Sequence, residues 1–182
     1  LFSQLPLTVN VRFESIMRTA PLVITSDSNR TLTVNGSWLN SSVPVNGGFY
    51  PHTNFLSGLT SAPNSTIILA STNEAIVSGT NAFCNLTCSN AVKIVRFTPG
   101  STNTVAGTLA IGGGVTLQST DDSSPWYLSL APGGIQQIGV VKVKNSNAGG
   151  GETLIARKGS ENLGNNVNWS FPGLSGVLIQ IR

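Results

Sequence analysis

The stretch LPLTVNVRFE, Leu5–Glu14, alternates without interruption. Leu5, Leu7, Val9, Val11 and Phe13 fall on one face of an extended chain, and Pro6, Thr8, Asn10, Arg12 and Glu14 on the other. Period two over ten residues predicts a strand with one buried face. The fold turns on what buries that face: a sheet of the same body, or a groove in a neighbouring subunit. Pro6 has no N–H to give a ladder, so pairing is expected to begin near Leu7. The segment SIMRTAP, Ser15–Pro21, then breaks the alternation, as a connector between an arm and a body would.

Composition narrows the classes. The chain has 182 residues, enough for one β domain with a proper core. Only 9% of them are charged, against 40% hydrophobic, a balance in which Ser, Thr, Asn and Gln supply the polar surface. Such a profile points to an extracellular β protein. The net charge of +3 comes from scattered basic residues with no run among them, so neither a nucleic-acid arm nor a polybasic membrane patch is expected. No apolar run approaches the roughly 20 residues of a membrane-spanning helix, and membrane insertion of the mature chain is not expected. The chain starts at Leu1, with its only methionine at Met17, which fits removal of a secretory signal.

Along the chain, Gly and Pro punctuate short β-type runs, among them RTLTV, SWL, STIILA, EAIVSG, AVKIVRF, GVTLQS, WYLSL and NVNWSF. Many short strands separated by turn signals predict a sandwich or barrel. Asn35-Gly36 between TLTV and SWL predicts a type I′ hairpin, and Gly112–Gly114 a slightly longer one. NSNAGGGE, Asn145–Glu152, reads as a flexible loop, since it lacks the Lys-Ser/Thr pair of a phosphate cradle. No internal repeat stands out, and residues 40–65 read as a long surface loop.

Catalytic material is sparse. His52 is the single histidine, Asp121 and Asp122 the only adjacent acids, and a solvated turn accounts for the latter. No metal site, cofactor or enzymatic activity is expected. Cys84 and Cys88 are too few for a zinc site with one distant histidine, and a local disulfide is expected, with two buried free thiols as the alternative. Closing so short a loop would stabilise by roughly 2 kcal/mol and would imply an oxidising compartment. Six N-x-S/T sequons occur, at Asn29, Asn35, Asn40, Asn64, Asn85 and Asn168, against about four expected by chance at this composition. Asn168 is expected to face outward, opposite Val167, Trp169 and Phe171, and Asn85 to lie on the exposed cysteine loop. N-linked glycans are expected at several of the six.

With its alternating, helix-free N-terminus, its Ser/Thr/Asn-rich all-β body and its sequons, the chain resembles the thread pilins of archaea. It is similar in architecture to chaperone–usher pilins, but differs from them in cysteine spacing and in the ending LIQIR. The resemblance implies donor-strand complementation, with Leu5, Leu7, Val9, Val11 and Phe13 as donor residues. The expected architecture is therefore a single immunoglobulin-like or pilin-like β-sandwich, with an arm over residues 1–17 and a body over 18–182. The expected function is that of a structural subunit of an extracellular, cell-surface filament serving adhesion. Its partner would be itself, as a head-to-tail homopolymer. A viral capsid jelly roll is the alternative, followed by a carbohydrate-binding module, which would need aromatics exposed on one face.

Overall fold

The computed structural model describes residues 31–34, 38–39, 64–72, 74–89 and 94–173. Every strand pairing among them is parallel. β1 (Thr31–Val34) and β2 (Trp38–Leu39) come first. Three coils of three strands follow. They comprise β3 (Thr66–Leu69), β4 (Glu74–Ser78) and β5 (Asn81–Phe83); then β6 (Asn85–Cys88), β7 (Ile94–Phe97) and β8 (Thr102–Val105); then β9 (Thr108–Ile111), β10 (Val115–Ser119) and β11 (Trp126–Leu130). A fourth coil has shorter strands, β12 (Ile135–Ile138), β13 (Val141–Val143) and β14 (Ser146–Asn147). Last come β15 (Leu154–Ile155), β16 (Glu161–Asn162) and β17 (Trp169–Ser170).

Strands of successive coils lie over one another in three sheets. The first has the order β1-β3-β6-β9-β12, the second β16-β13-β10-β7-β4-β2 and the third β14-β11-β8-β5; β15 and β17 form a separate pair. This is a β-solenoid of about four turns. A parallel pair needs a crossover of a dozen residues or more, and here the crossover is one full turn of the coil.

The architecture corrects the expected β-sandwich, and with it the pilin resemblance and the capsid jelly roll. Both of those folds put consecutive strands in antiparallel contact, whereas here consecutive strands belong to different sheets. β1 and β2 are therefore not hairpin partners, despite Asn35-Gly36 between them. Gly112–Gly114 is likewise a corner, not a hairpin loop. It carries the ladder from the first sheet to the second, with Gly112 N–H donating to the Cys88 carbonyl at 2.8 Å and Gly114 N–H to the Val140 carbonyl at 2.8 Å. Coils meet so closely there that a Cβ on Gly139 would stand 2.8 Å from the Gly113 nitrogen. A repeat does exist, but the coils differ in length. Leu86 lies over Ile67, Leu109 over Leu86 and Gln136 over Leu109, at unequal spacings in the chain.

Head-to-tail donor-strand polymerisation falls with the sandwich. It requires a groove from which a strand is missing, and in the solenoid each coil closes its own interior with three sheets. The proposed donor residues, Leu5, Leu7, Val9, Val11 and Phe13, lie outside the described residues, as do Asn29, Asn35, Asn40 and His52.

The interior consists of rows one residue wide. Leu69, Cys88 and Ile111 stack in the first sheet, Ala75, Val95, Leu117 and Val143 in the second, and Phe83, Val105 and Leu130 in the third; all are buried. Each large aliphatic side chain so placed contributes roughly 1.5–3 kcal/mol. Phe97 and Trp126 stack face to face, with centroids 3.9 Å apart and planes 3° from parallel. The Trp126 indole N–H donates to the Lys144 carbonyl at 2.9 Å, so the polar end of a fully buried ring is paired.

Candidate functional site

Two kinds of polar feature could carry function: side chains locked between coils, and side chains displayed on the sheets. The locked set is built on asparagine. Asn81 and Asn103 occupy inward positions of β5 and β8, directly in register. Asn81 Nδ2 donates to Asn103 Oδ1 at 2.9 Å and to the carbonyls of Ser78 and Gly79, while Asn103 Nδ2 donates to the Tyr127 carbonyl at 3.2 Å. The amide pair thus satisfies backbone carbonyls at the corner between the second and third sheets. Both strands read Asn-x-apolar, NAF and NTV, and that shared phase was the signal in the sequence.

A second group closes the C-terminal coils. Asn166 Nδ2 donates to the Val143 carbonyl and to Asn162 Oδ1, each at 2.7 Å, and Asn166 Oδ1 accepts from Ser146 N–H at 2.9 Å. Asn145, fully buried, donates to the Asp122 carbonyl at 2.8 Å and accepts from Asn165 Nδ2 at 3.0 Å. Asn145, Asn165 and Asn168 all have left-handed φ, between 55° and 57°, a region that asparagine tolerates better than most residues. The density of asparagine in NLGNNVN was visible in the sequence, but its purpose was not.

Among the expected site residues, Cys84 and Cys88 are free thiols. Cys88 points into the core of β6 and Cys84 sits at the preceding corner. Four residues of extended chain separate the two Cα atoms by about 13 Å, well beyond the roughly 7 Å that a disulfide spans. This corrects the expected bridge and removes it as evidence for an oxidising compartment. Burial pushes the Cys88 thiol up to about 12, so it stays protonated and inert.

The sequons divide. Asn85 is not on an exposed loop. Its Nδ2 donates to the Ser65 carbonyl at 3.0 Å and its Oδ1 accepts from Thr108 N–H at 2.8 Å, so it ties its own coil to those on either side. Asn168 does not project from a strand either. Its Nδ2 donates to the carbonyls of Ala148 and Gly151, and Thr153 Oγ1 donates to its Oδ1 at 2.8 Å. Val167, expected in the core, is half exposed, while Trp169 and Phe171 pack against the core with ring centroids 5.9 Å apart. Asn64 is exposed at the corner that leads into β3.

NSNAGGGE is not a free loop. β14 occupies its start, and a Cβ on Gly151 would collide with the Leu130 carbonyl, so only glycine allows that approach. Asp121 and Asp122 do form a solvent-facing turn. Asp121 accepts from the Ser123 hydroxyl at 2.7 Å, from Ser123 N–H at 2.8 Å and from the Ser124 hydroxyl at 2.8 Å, which together lower its pKa to about 2.

On the displayed faces, charge is confined. The outward side of the second sheet carries Glu74, whose carboxylate receives the Arg96 Nε at 2.9 Å, and Lys142 paired with Glu161 at 2.9 Å. With its amide oxygen turned toward Arg96, Gln118 accepts from both terminal guanidinium nitrogens at 2.6 and 3.0 Å. The outward side of the first sheet is uncharged, with Thr66, Thr87 and Thr108 on successive coils. Among the described residues there is no His/Cys/Asp/Glu group that could hold a metal ion, and no helix long and apolar enough to cross a membrane. No family model, curated protein or solved structure matches the chain.

Proposed function

We propose that the chain is a non-catalytic structural segment of an extracellular protein, a stiff β-solenoid scaffold. The observation that carries this reading is the apolar interior stacked in register from coil to coil, and bound between coils by amide side chains as well as by ladders. Each coil stacks on its neighbours, so the architecture adds length and stiffness, at roughly 4.8 Å per coil. The low charge of the chain supports the extracellular placement.

Two measurements test it. Protein from the source cells, fractionated and detected by antibody, should be found at the surface or in the medium; exclusive recovery from the cytoplasm sinks the extracellular part. Purified protein incubated with neutral and acidic polysaccharides should release neither reducing ends nor unsaturated products. Turnover that co-purifies with the protein would overturn the non-catalytic reading.

A further inference from the structure

We propose that Cys84 and Cys88 make the fold redox-sensitive: a disulfide between them and strand β6 exclude one another, so the coil beginning with β6 closes only while both thiols are reduced. Both cysteines are free in the structure. In an unfolded chain the short spacing lets the two sulfurs meet. In the folded chain Asn85–Cys88 is the extended strand β6, which sets the two Cα atoms about 13 Å apart, against the roughly 7 Å that a bridge spans. Strand β6 cannot fold back to close that gap and keep its neighbours. It lies between β3 and β9 in the first sheet, with Leu86 and Cys88 buried in the interior rows. The main chain is pinned at both cysteines: Gly107 N–H donates to the Cys84 carbonyl at 2.7 Å, and Gly112 N–H to the Cys88 carbonyl at 2.8 Å. From the other side, Asn85 N–H donates to the Ser65 carbonyl and Ser89 N–H to the Leu69 carbonyl, each at 3.0 Å. A bridge would break the rung on both sides at once.

The coupling is reciprocal: as the fold opposes the bridge, the bridge opposes the fold. The oxidant is a low-molecular-weight disulfide such as oxidised glutathione. In the unfolded chain one cysteine thiolate attacks it, a mixed disulfide forms, and one glutathione thiolate leaves. The other cysteine thiolate then attacks the protein sulfur of the mixed disulfide, closes the bridge and releases the second glutathione. Two protein thiols are oxidised to one disulfide, the glutathione disulfide is reduced to two thiols, and the two protons end on glutathione. In the folded chain the sequence stops after the first step, at Cys84, because Cys88 is 2% exposed and held out of reach. The consequence for a chain passing through an oxidising compartment is an order of events: β6 must be seated before its thiols are oxidised.

The test uses the full chain and does not depend on where the native protein resides. Unfolded in urea and treated with oxidised glutathione, the chain should lose two hydrogens in mass, with Cys84 and Cys88 joined in its peptide map. On dilution from urea this species should lack amide protection over β3, β6 and β9, which the reduced chain recovers. Dithiothreitol added to it should restore that protection. The folded chain under the same treatment should gain at most one glutathione, on Cys84, and no internal bridge. A Cys84→Ser, Cys88→Ala double variant should refold alike with and without oxidant; where that variant does not fold, the reversal by dithiothreitol serves as the control. Four results overturn the proposal: no bridge in the unfolded chain, a bridged chain protected like the reduced one, a bridge acquired by the folded chain with its unfolding midpoint unchanged, or a bridged chain that reduction does not rescue.

Discussion

The middle coils, residues 66–130, and the last ones, residues 135–170, follow the same path by different means. In the middle, backbone ladders run continuously through the three sheets, and the interior rows are mainly aliphatic or aromatic, with the Asn81–Asn103 pair set among them. In the last coils the first sheet's ladder ends at β12, and a side chain takes over. Gln136 occupies the row position after Ile67, Leu86 and Leu109. Its Nε2 donates to the Thr153 carbonyl at 3.0 Å and its Oε1 accepts from Ile155 N–H at 2.7 Å, which is the pattern of a neighbouring peptide group. The exposed large aliphatic side chains among the described residues, led by Ile135 at 57% and Ile155 at 53%, all lie in this region. The difference teaches that in the middle coils amide side chains supplement continuous ladders, whereas past β12 an amide side chain stands in for the first sheet's ladder.

The largest expected effect falls in the middle. Trp126→Ala removes the ring stacked on Phe97 and leaves a cavity, and should cost about 3–5 kcal/mol in urea-induced unfolding. Asn103→Ala comes next, at roughly 1–3 kcal/mol, because Asn81 and the Tyr127 carbonyl lose a buried partner. Gln136→Leu should cost about 1 kcal/mol or less overall, since it extends an apolar row while removing two hydrogen bonds. Its signature is local: amide exchange at Ile155 should speed up, while Leu86 and Leu109 stay protected. Equal deprotection in both regions would erase the distinction between ladder and side-chain closure.

The two smallest effects concern titration. Ellman's reagent should leave Cys88 unmodified in the native state and react with both thiols in denaturant, and an intact-mass measurement should find no disulfide. Asp121 has a depressed folded-state pKa, so its contribution is present above the ordinary carboxylate pKa of about 4 and is lost as pH falls through about 2. NMR titration of the Ser123 amide should report that window. A midpoint near 4 would mean that the Ser123 and Ser124 bonds do not form in solution.

Much of the strand content was legible. TLTV, TIIL, EAIVS, IVRF, VTLQS and WYLSL sit on β1, β3, β4, β7, β10 and β11, and in β3, β7 and β10 inward and outward side chains alternate strictly. The partner of each strand was not legible. Asn-Gly and Gly-Gly-Gly favour positive φ at a tight turn, and a corner between sheets uses the same backbone freedom as a hairpin. Asn85 shows the same limit at the candidate site. Its sequon is local, whereas the carbonyl of Ser65 and the N–H of Thr108 that hold it come from other coils.

Period-two alternation, punctuated by Gly, Pro and Asn, determined by itself that this chain forms short strands with one buried face. Tertiary structure alone decided that those faces meet inside a coil and not across a sandwich. The reason is physical: an alternating strand buries the same side chains whether its neighbour runs parallel or antiparallel. The direction of that neighbour depends on where the whole intervening turn returns the chain. Coils of unequal length hide that return from any fixed spacing in the sequence.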